Sequence, residues 1–192
     1  MIRSCPCAGP AVDCDYGFDP VWSTLSIAKR VIRVRGDKEI LVLLNEQLTS
    51  ELTAINQYFL HSKLQASWGF TELAAKTREE SFGEMRHAEL LTDRILLMEG
   101  LPNYQRLLSL TVGETVREQF QADLSIELSV VERLRPGIAM CRQKGDATSA
   151  NLLEMILADE ERDVDHIQTQ LELMERLGES LYLAQCLSRP PS

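Results

Sequence analysis

Residues 84–87 are Glu-Met-Arg-His, and residues 160–163, 76 positions further on, are Glu-Glu-Arg-Asp. Each segment begins 33 positions after another glutamate, Glu51 in the first case and Glu127 in the second. All four glutamates lie in long stretches with the apolar spacing of amphipathic helices. The repeat therefore predicts four packed helices that each direct a glutamate towards a common point, an arrangement typical of di-iron carboxylate sites.

The chemistry of this cluster follows from burial and charge. Glu84 and His87 share a helix face because they are three residues apart, and the same holds for Glu160 and Asp163. Carboxylates directed into a core of Leu and Ile need counter-charges, which two divalent cations would supply. A single Glu-x-x-His on a glutamate-rich helix usually faces water, but the repeated spacing favours a metal site over that alternative.

The rest of the chain is predicted to be all-α. Asp37 is a candidate N-cap for a first helix, and Thr111 with Glu114 is a candidate capping box for the third. Pro136 removes one backbone hydrogen bond and predicts a bend in that helix. The predicted helices span about 37–66, 71–99, 111–143 and 148–177, with a short fifth helix at about 180–187.

The connections between these helices predict the topology. Trp68-Gly69-Phe70 and Gly145-Asp146 are short breaks, so helices one and two are antiparallel, as are helices three and four. The segment from Gly100 to about Gly113 has no clear period and is long enough to return along the whole bundle. One long crossover between helices two and three is the ferritin-like arrangement of a four-helix bundle.

Composition restricts the partners and the compartment. The 192 residues carry a formal net charge of -9, which argues against nucleic acid or an anionic membrane as a partner. No apolar run is long enough to span a membrane. Five cysteines, an odd number without a Cys-x-x-Cys pair, indicate a reducing compartment, and we expect a cytoplasmic protein.

The first 34 residues differ from the rest of the chain. They contain Pro6, Pro10 and Pro20 without a sustained apolar period, and we expect them to be largely disordered. Their three cysteines, at positions 5, 7 and 14, lack the spacing of a zinc site, which favours free thiols on a tail. The predicted domains are therefore an extension over residues 1–34 and a helical-bundle domain over residues 35–192.

Three further side chains are weaker candidates. Tyr58 lies two turns beyond Glu51, where its hydroxyl could donate to the metal site or simply complete the core. An ordinary surface or packing role is favoured for His61. His166 is six residues from Glu160, about 120° round the helix, so it does not easily replace the histidine that Asp163 lacks.

From about Val34 to the C-terminus the sequence resembles the bacterioferritins, and the actinobacterial type most closely. Four segments carry this resemblance: Leu48–His61, Glu84–His87, Glu99–Asn103 and Asp159–Glu161. The resemblance implies a homo-oligomeric shell of 24 subunits that oxidises ferrous iron and stores ferric mineral inside. It also implies a ferredoxin partner for iron release.

The resemblance assigns roles to residues of this chain. It implies that Glu51 and His87 are terminal ligands of one iron, that Glu127 is a terminal ligand of the other, and that Glu84 and Glu160 bridge the two. Asp163 occupies the sixth ligand position. The family also binds haem b between two subunits through one Met from each, and Met85 matches that position. A Met on a helix face more often packs in a core, but Met85 is about 100° from Glu84 and so points away from the metal site.

Two departures from the family pattern bear on mechanism. Asp163 stands where the family has a second histidine, so five carboxylates and two ferrous ions give a site charge of -1. One hypothesis is that Asp163 favours ferric iron and slows its release, because oxygen ligands suit harder ions. The opposing hypothesis is that the second iron binds weakly and ferroxidase activity is largely lost. Gly83 replaces a common family Asp, which puts inward iron transfer by that route in doubt.

The family pattern also bears on the start of the chain. Val34-Arg-Gly-Asp37 aligns with the usual family start Met-x-Gly-Asp, and valine can be encoded by the start codon GUG. We therefore expect residues 1–33 to be a mis-called extension, and an intact mass that begins at Met1 would refute this.

Two readings of function follow. In the first, the protein is a ferroxidase and iron store. In the second, it is a non-catalytic, haem-bearing shell subunit that co-assembles with an intact paralogue. A third option, another dimetal oxygenase or peroxidase, is disfavoured by Met85 and by the segment around residue 48.

Overall fold

The computed structural model describes residues 35–187. Within that range there are five α-helices and no strand: α1 (Lys38–Ser67), α2 (Thr71–Leu97), α3 (Val116–Gln143), α4 (Ala147–Leu177) and α5 (Glu179–Cys186). The predicted all-α fold with a short fifth helix is confirmed. The expectations for residues 1–34 lie outside the described residues, and the proposed domain boundary stays a prediction.

The helix starts are set by capping side chains. The Asp37 carboxylate accepts hydrogen bonds from the backbone N–H groups of Glu39 and Ile40, as predicted for the start of α1. The capping box predicted at Thr111 is wrong, because Thr115 and Glu118 form the box that begins α3. Thr111 belongs to the crossover instead, where its N–H donates to Gln57 Oε1 at 2.9 Å.

The long crossover, residues 98–115, runs along α1 in the same direction as α1. It begins beside the start of α1, where Gly100 approaches Leu41. It ends beside the far part of α1, where the Gly113 N–H donates to His61 Nε2 at 3.2 Å. α2 and α3 are consequently parallel, and the predicted single crossover of a ferritin-like bundle is confirmed.

A ladder of polar side chains on α1 holds this crossover in place. Four side chains at spacings of four or eight residues each accept one crossover N–H: Asn45 from Asn103, Thr53 from Leu108, Gln57 from Thr111, and His61 from Gly113. Buried backbone donors need such partners, since an unpaired one costs about 1–3 kcal/mol. The ladder therefore accounts for the burial of Thr53, Gln57 and His61 on α1.

The larger apolar cluster lies between α1, α2, α3 and α4, and a smaller one packs α5 against α3 and α4 through Phe120, Met174 and Tyr182. The larger cluster contains Leu44, Leu48, Leu91, Ile95, Leu134, Leu153 and Ile156, all fully buried. α3 is continuous through Pro136, and the next residue, Gly137, lies against Leu43 of α1. An added Cβ at Gly137 would lie only 2.8 Å from Leu43 Cδ2, so this glycine allows α1 and α3 to approach closely. Among the described residues, no helix is long and apolar enough to cross a membrane.

Candidate metal centre

Four of the predicted ligands meet inside the bundle. Glu51 of α1, Glu84 and His87 of α2 and Glu160 of α4 place ligand atoms within 4.8 Å of one another, and all four side chains are buried. His87 Nδ1 lies 3.7 Å from Glu51 Oε2, 3.5 Å from Glu84 Oε2 and 3.3 Å from Glu160 Oε1. The structure thus brings together four of the six side chains that the repeat and the family resemblance indicated as ligands.

Several ligand atoms in and beside this group lack hydrogen-bond partners within the protein. His87 Nδ1, both Glu160 carboxylate oxygens and Glu127 Oε1 are buried and make no hydrogen bond. Buried polar atoms are nearly always paired, so a group of unpaired ones at a single point indicates a missing ligand. Three or four carboxylates and one imidazole are the donors that iron, manganese and zinc accept, and the residues present therefore fit a divalent cation.

Burial and mutual repulsion change the proton affinities of the carboxyl groups. Burial, together with the charges of Glu160 and Glu51, raises the pKa of Glu84 well above its usual value. Burial and the neighbouring Glu160 likewise raise the pKa of Glu127. Burial also acts upward on Glu51, but contacts with Glu84 and His87 outweigh it and lower the pKa of Glu51. The ion-free cluster thus holds protons that a bound cation would displace.

Burial and the neighbouring carboxylates act on the pKa of His87 in opposite directions. Burial alone would lower the pKa of His87, but the carboxylates of Glu160, Glu51 and Glu84 around Nδ1 raise it by more. The contacts of Nδ1 are ionic, since their separations and angles make no hydrogen bond. A cation at this point would take the place of the Nδ1 proton.

Glu127 and Asp163 lie beside the four-residue group. Glu127 is 1% exposed in α3, where Glu160 is the carboxylate that most affects its pKa. Asp163 is half-buried and lines an open cleft of about 600 Å³ between α2 and α4, which also reaches Glu84 and His87. Burial, Glu80 and Glu160 raise the pKa of Asp163 to about 7. The cleft therefore gives access from solvent to Asp163 and to two members of the four-residue group, Glu84 and His87.

Two neighbours of the cluster were not predicted as site residues. Gln47 Nε2 donates to Glu51 Oε1 at 2.6 Å, and Asp159 Oδ2 lies 3.2 Å from His87 Nε2. Gln47 is four residues before Glu51, a spacing at which helical side chains meet, so the sequence did contain that signal. Asp159 approaches His87 from a different helix, and no local spacing reveals such a contact.

The weaker candidates take up distinct positions. Tyr58 is 4% exposed and its hydroxyl makes no hydrogen bond. It lines a small cavity that also includes Asp163, so the predicted role as a donor to the site stays a prediction. His61 is buried and paired with Asp123 of α3, its Nδ1 lying 3.0 Å from Oδ1, which gives it a packing role. His166 lines the cavity and the cleft, outside the four-residue cluster.

Met85 faces away from the cluster. It is 49% exposed on the outer side of α2, next to the exposed aromatic ring of Phe82. This orientation agrees with the expected one, in which Met85 is available to a second copy of the chain.

The chain is similar to known proteins over most of its length. Residues 41–177 match the ferritin-like domain family. A bacterioferritin of Mycobacterium bovis is 70% identical over 159 residues, which are 83% of this chain and 100% of the relative. A Streptomyces coelicolor bacterioferritin is 61% identical over 156 residues, which are 81% of this chain and 93% of the relative. The solved structure of Mycobacterium tuberculosis bacterioferritin, BfrA, has a TM-score of 0.81 and 70% identity, covering 82% of this chain and 99% of that one.

Proposed function

This chain belongs to the bacterioferritin family, and on that premise we propose that it oxidises ferrous iron and stores the ferric product. The observation that carries the proposal is the buried group of Glu51, Glu84, His87 and Glu160, in which His87 Nδ1 and both Glu160 carboxylate oxygens make no hydrogen bond. Iron enters this proposal as the substrate, and the reaction is the loss of one electron from each Fe²⁺ to dioxygen or peroxide.

In this proposal each ligand has a separate task. Glu51 and His87 hold one ferrous ion from α1 and α2, while Glu127 holds the second from α3. Glu84 and Glu160 lie between them and bridge the pair, and Asp163 completes the second position at the cleft. Two ferrous ions held side by side deliver two electrons together, and the surrounding carboxylates stabilise the higher charge of the ferric products.

The test is aerobic oxidation of added Fe²⁺ by the purified full chain, followed by ferric absorbance. We expect oxidation well above the rate without protein, and loss of most of that acceleration in Glu84→Ala, because Glu84 is a bridging ligand. Glu161→Ala is the matched control, since Glu161 is an exposed neighbour of Glu160 that pairs with Arg135. Equal rates in Glu84→Ala and the unmodified chain would contradict the proposal.

A second candidate function rests on Asp163. This side chain is half-buried at the open cleft and lies outside the four-residue group. Because it is a carboxylate and not an imidazole, the second ferrous ion would have no nitrogen ligand. In this alternative the subunit supplies shell and haem and co-assembles with an active paralogue. Slow iron oxidation that Asp163→His accelerates at least tenfold would support it, and equally fast oxidation by both proteins would favour the first function.

The remaining proposals follow family membership. We propose a cytoplasmic homo-oligomeric shell of 24 subunits that releases its iron with electrons from a ferredoxin. We further propose that Met85 from two subunits holds haem b, supported by its 49% exposure on the outer face of α2. A Met85→Ala variant purified beside the unmodified chain should lose haem absorbance while it keeps the same assembly size.

A further inference from the structure

The outward nitrogen of His87 faces a carboxylate from another helix. Nε2 lies 3.2 Å from Oδ2 of Asp159, which precedes Glu160 in α4. Arg162, one turn further along α4, donates to the other oxygen of the same carboxylate. Asp159 is therefore held from one side by a guanidinium while it contacts the imidazole with the other.

This contact selects the ligand atom of His87. Carboxylate oxygens accept hydrogen bonds, so the 3.2 Å contact is a hydrogen bond when the Nε2 of His87 carries a proton and donates it to Asp159 Oδ2. In the neutral ring the free lone pair is then on Nδ1, the nitrogen that faces Glu51, Glu84 and Glu160. The pairing thus sets the direction of the ring before a cation arrives, and it leaves Nδ1 as the nitrogen that gives up its proton to the cation.

We propose that Asp159 is a positioning residue: it orients His87 so that Nδ1 binds the ferrous substrate. This inference rests on the proposed function. Carboxylates that hold the second nitrogen of a metal-bound histidine typically change metal affinity by about 10–100-fold. Asp159 does not touch the reacting ions, because its carboxylate meets the opposite side of the ring.

The internal repeat shows what the second half of the site lacks. The 76-residue offset relates Asp159 to Gly83, Arg162 to Arg86 and Asp163 to His87. The second half therefore lacks both the histidine and the carboxylate that would orient it. Gly83 and Asp163 line the same cleft, so the two positions lie on one surface, as Asp159 and His87 do in the first half.

Position 83 has room for the missing carboxylate. A Cβ added at Gly83 would meet only Arg86 Nη2, at 3.7 Å, which is an ordinary contact. Arg86 would then be placed to donate to an Asp at position 83, as Arg162 donates to Asp159. A histidine introduced at position 163 without that acceptor is free to rotate in the cleft, so we infer that Gly83→Asp and Asp163→His act together.

The first experiment is spectrophotometric titration of the full chain with Co²⁺, whose absorbance reports ligand type without any turnover. We expect Asp159→Ala to weaken the tighter Co²⁺ step about 10–100-fold. Asp159→Asn should weaken it less, because the amide oxygen still accepts from Nε2. The exposed control Glu161→Ala should bind as the unmodified chain does. Affinity within twofold of the unmodified chain in Asp159→Ala, or an equal loss in Glu161→Ala, would overturn the inference.

A second readout separates orientation from general structure. In the Co²⁺-loaded unmodified protein, the Nε2–H of His87 should give a paramagnetically shifted proton resonance that exchanges slowly with water. Asp159→Ala should lose this resonance through fast exchange, and its persistence would contradict the pairing. If the unmodified chain binds no Co²⁺ at all, both this inference and the proposed iron site fail. If the unmodified chain binds Co²⁺ and the Asp159 variants bind it equally tightly, the inference alone fails and the proposed iron site stands.

The repeat is tested with two further variants. Relative to Asp163→His, the double variant Gly83→Asp/Asp163→His should bind the weaker Co²⁺ ion about tenfold more tightly, which is the lower end of the range for such pairings. Equal or weaker binding by the double variant would show that position 83 does not orient a histidine at position 163.

Discussion

At the scale of single residues, the site is a set of carboxyl groups whose burial beside one another lowers the stability of the folded protein. Glu84 and Glu127 are buried beside other carboxylates, and the pKa of each is raised by that environment. Removing the partner of a buried, paired charge lowers the free energy of unfolding. Neutralising a buried charge that has no partner should raise the free energy of unfolding. The ion-free protein should therefore become more stable when one of these charges is removed.

Glu127→Gln tests this cost directly. We expect the metal-free variant to unfold at a higher temperature than the unmodified chain at pH 7.5, with a gain of about 1.4 kcal/mol for each unit, up to that pH, by which burial raises the pKa of Glu127. Added Co²⁺ should then raise the unfolding temperature of the unmodified chain more than that of the variant, because ligands stabilise only the state that binds them. Thermal unfolding with and without Co²⁺ gives both quantities.

Glu132→Gln is the control for that measurement. Glu132 is an exposed carboxylate five residues further along α3, so the same chemical change there should leave both temperatures nearly unaltered. A metal-free Glu127→Gln variant less stable than the unmodified chain would mean that the Glu127 charge is already compensated.

The sequence predicted the site residues better than it predicted their supporting contacts. Glu51, Glu84, His87 and Glu160 could be located because their spacing repeats along the chain. Asp159 could not, since its contact with His87 depends on how α4 is rotated against α2, and pairwise spacing within one helix does not contain that angle.

At the scale of helices and connections, capping and polar ladders fix where elements begin and how they meet. Asp146 shows both effects, because it caps α4 by accepting from the Ser149 N–H and also accepts from Arg94 of α2 at 2.7 Å. Thr111 and Thr115 show the limit of sequence reasoning. Both begin a Thr-x-x-Glu pattern, and only the hydrogen bond from Thr111 to Gln57 decides between them.

The Asp146 cap predicts a pH-dependent contribution to stability. Burial raises the pKa of Asp146, but hydrogen bonds from Ser149 and Arg94 outweigh it and lower that pKa. A lowered folded-state pKa gives stability that is present above the unfolded value, about pH 3.9, and is lost as pH falls through the folded value. Asp146→Ala should cost about 2 kcal/mol at neutral pH, and the deficit should shrink only below about pH 4.

Urea unfolding of both proteins between pH 7 and pH 3.5 checks that window. Thr148→Ala is a suitable control, because Thr148 is exposed in the first turn of α4 and does not cap it. A deficit that already narrows near pH 6 would assign the effect to another group.

The buried trio of Gln57, His61 and Asp123 predicts a coupled loss of stability in the crossover. Asp123 accepts from Gln57 Nε2 at 2.8 Å and pairs with His61, while both partners hold crossover N–H groups. Asp123→Leu leaves two buried donors unpaired and should cost about 3 kcal/mol. Hydrogen exchange at the Thr111 and Gly113 amides should accelerate by a larger factor than exchange in the core of α4.

Asn56→Ala provides the comparison for the trio. Asn56 is an exposed residue of α1 whose amide bonds only to the Leu52 carbonyl of the same helix. The Asn56→Ala variant should change the free energy of unfolding by no more than about 0.5 kcal/mol. It should leave amide exchange in the crossover unchanged. Unchanged amide exchange in Asp123→Leu would mean that the ladder does not hold the crossover.

At the scale of the whole molecule, one subunit leaves much apolar side-chain surface exposed. Leu101 in the crossover is 86% exposed, and Leu96 and Leu97 at the end of α2 are 54% and 58% exposed. Neighbouring exposed apolar residues indicate protein–protein contact. The all-α fold and its single crossover could be predicted from apolar periodicity and connection lengths. The residues that would cover this surface could not be predicted, because in the proposed assembly they belong to other copies of the chain.

Leu101→Glu tests the proposed assembly. A charge at this position should lower the fraction of assembled protein in native mass spectrometry by at least severalfold, while circular dichroism shows unchanged helix content. Ser125→Glu introduces the same charge at an exposed polar position of α3 and should assemble normally. Full assembly of Leu101→Glu would place Leu101 outside the subunit contacts.

The polar ladder has a consequence for the order in which the chain is made. Its acceptors Asn45, Thr53 and Gln57 all belong to α1, and the crossover amides that they bind follow α2 directly. A nascent chain that has emerged from the ribosome as far as Thr111 already contains both sides of these hydrogen bonds. Docking of the crossover can therefore precede the emergence of α3 from the ribosome, so that the direction of the third helix can be set before Glu127 and Glu160 leave the exit tunnel.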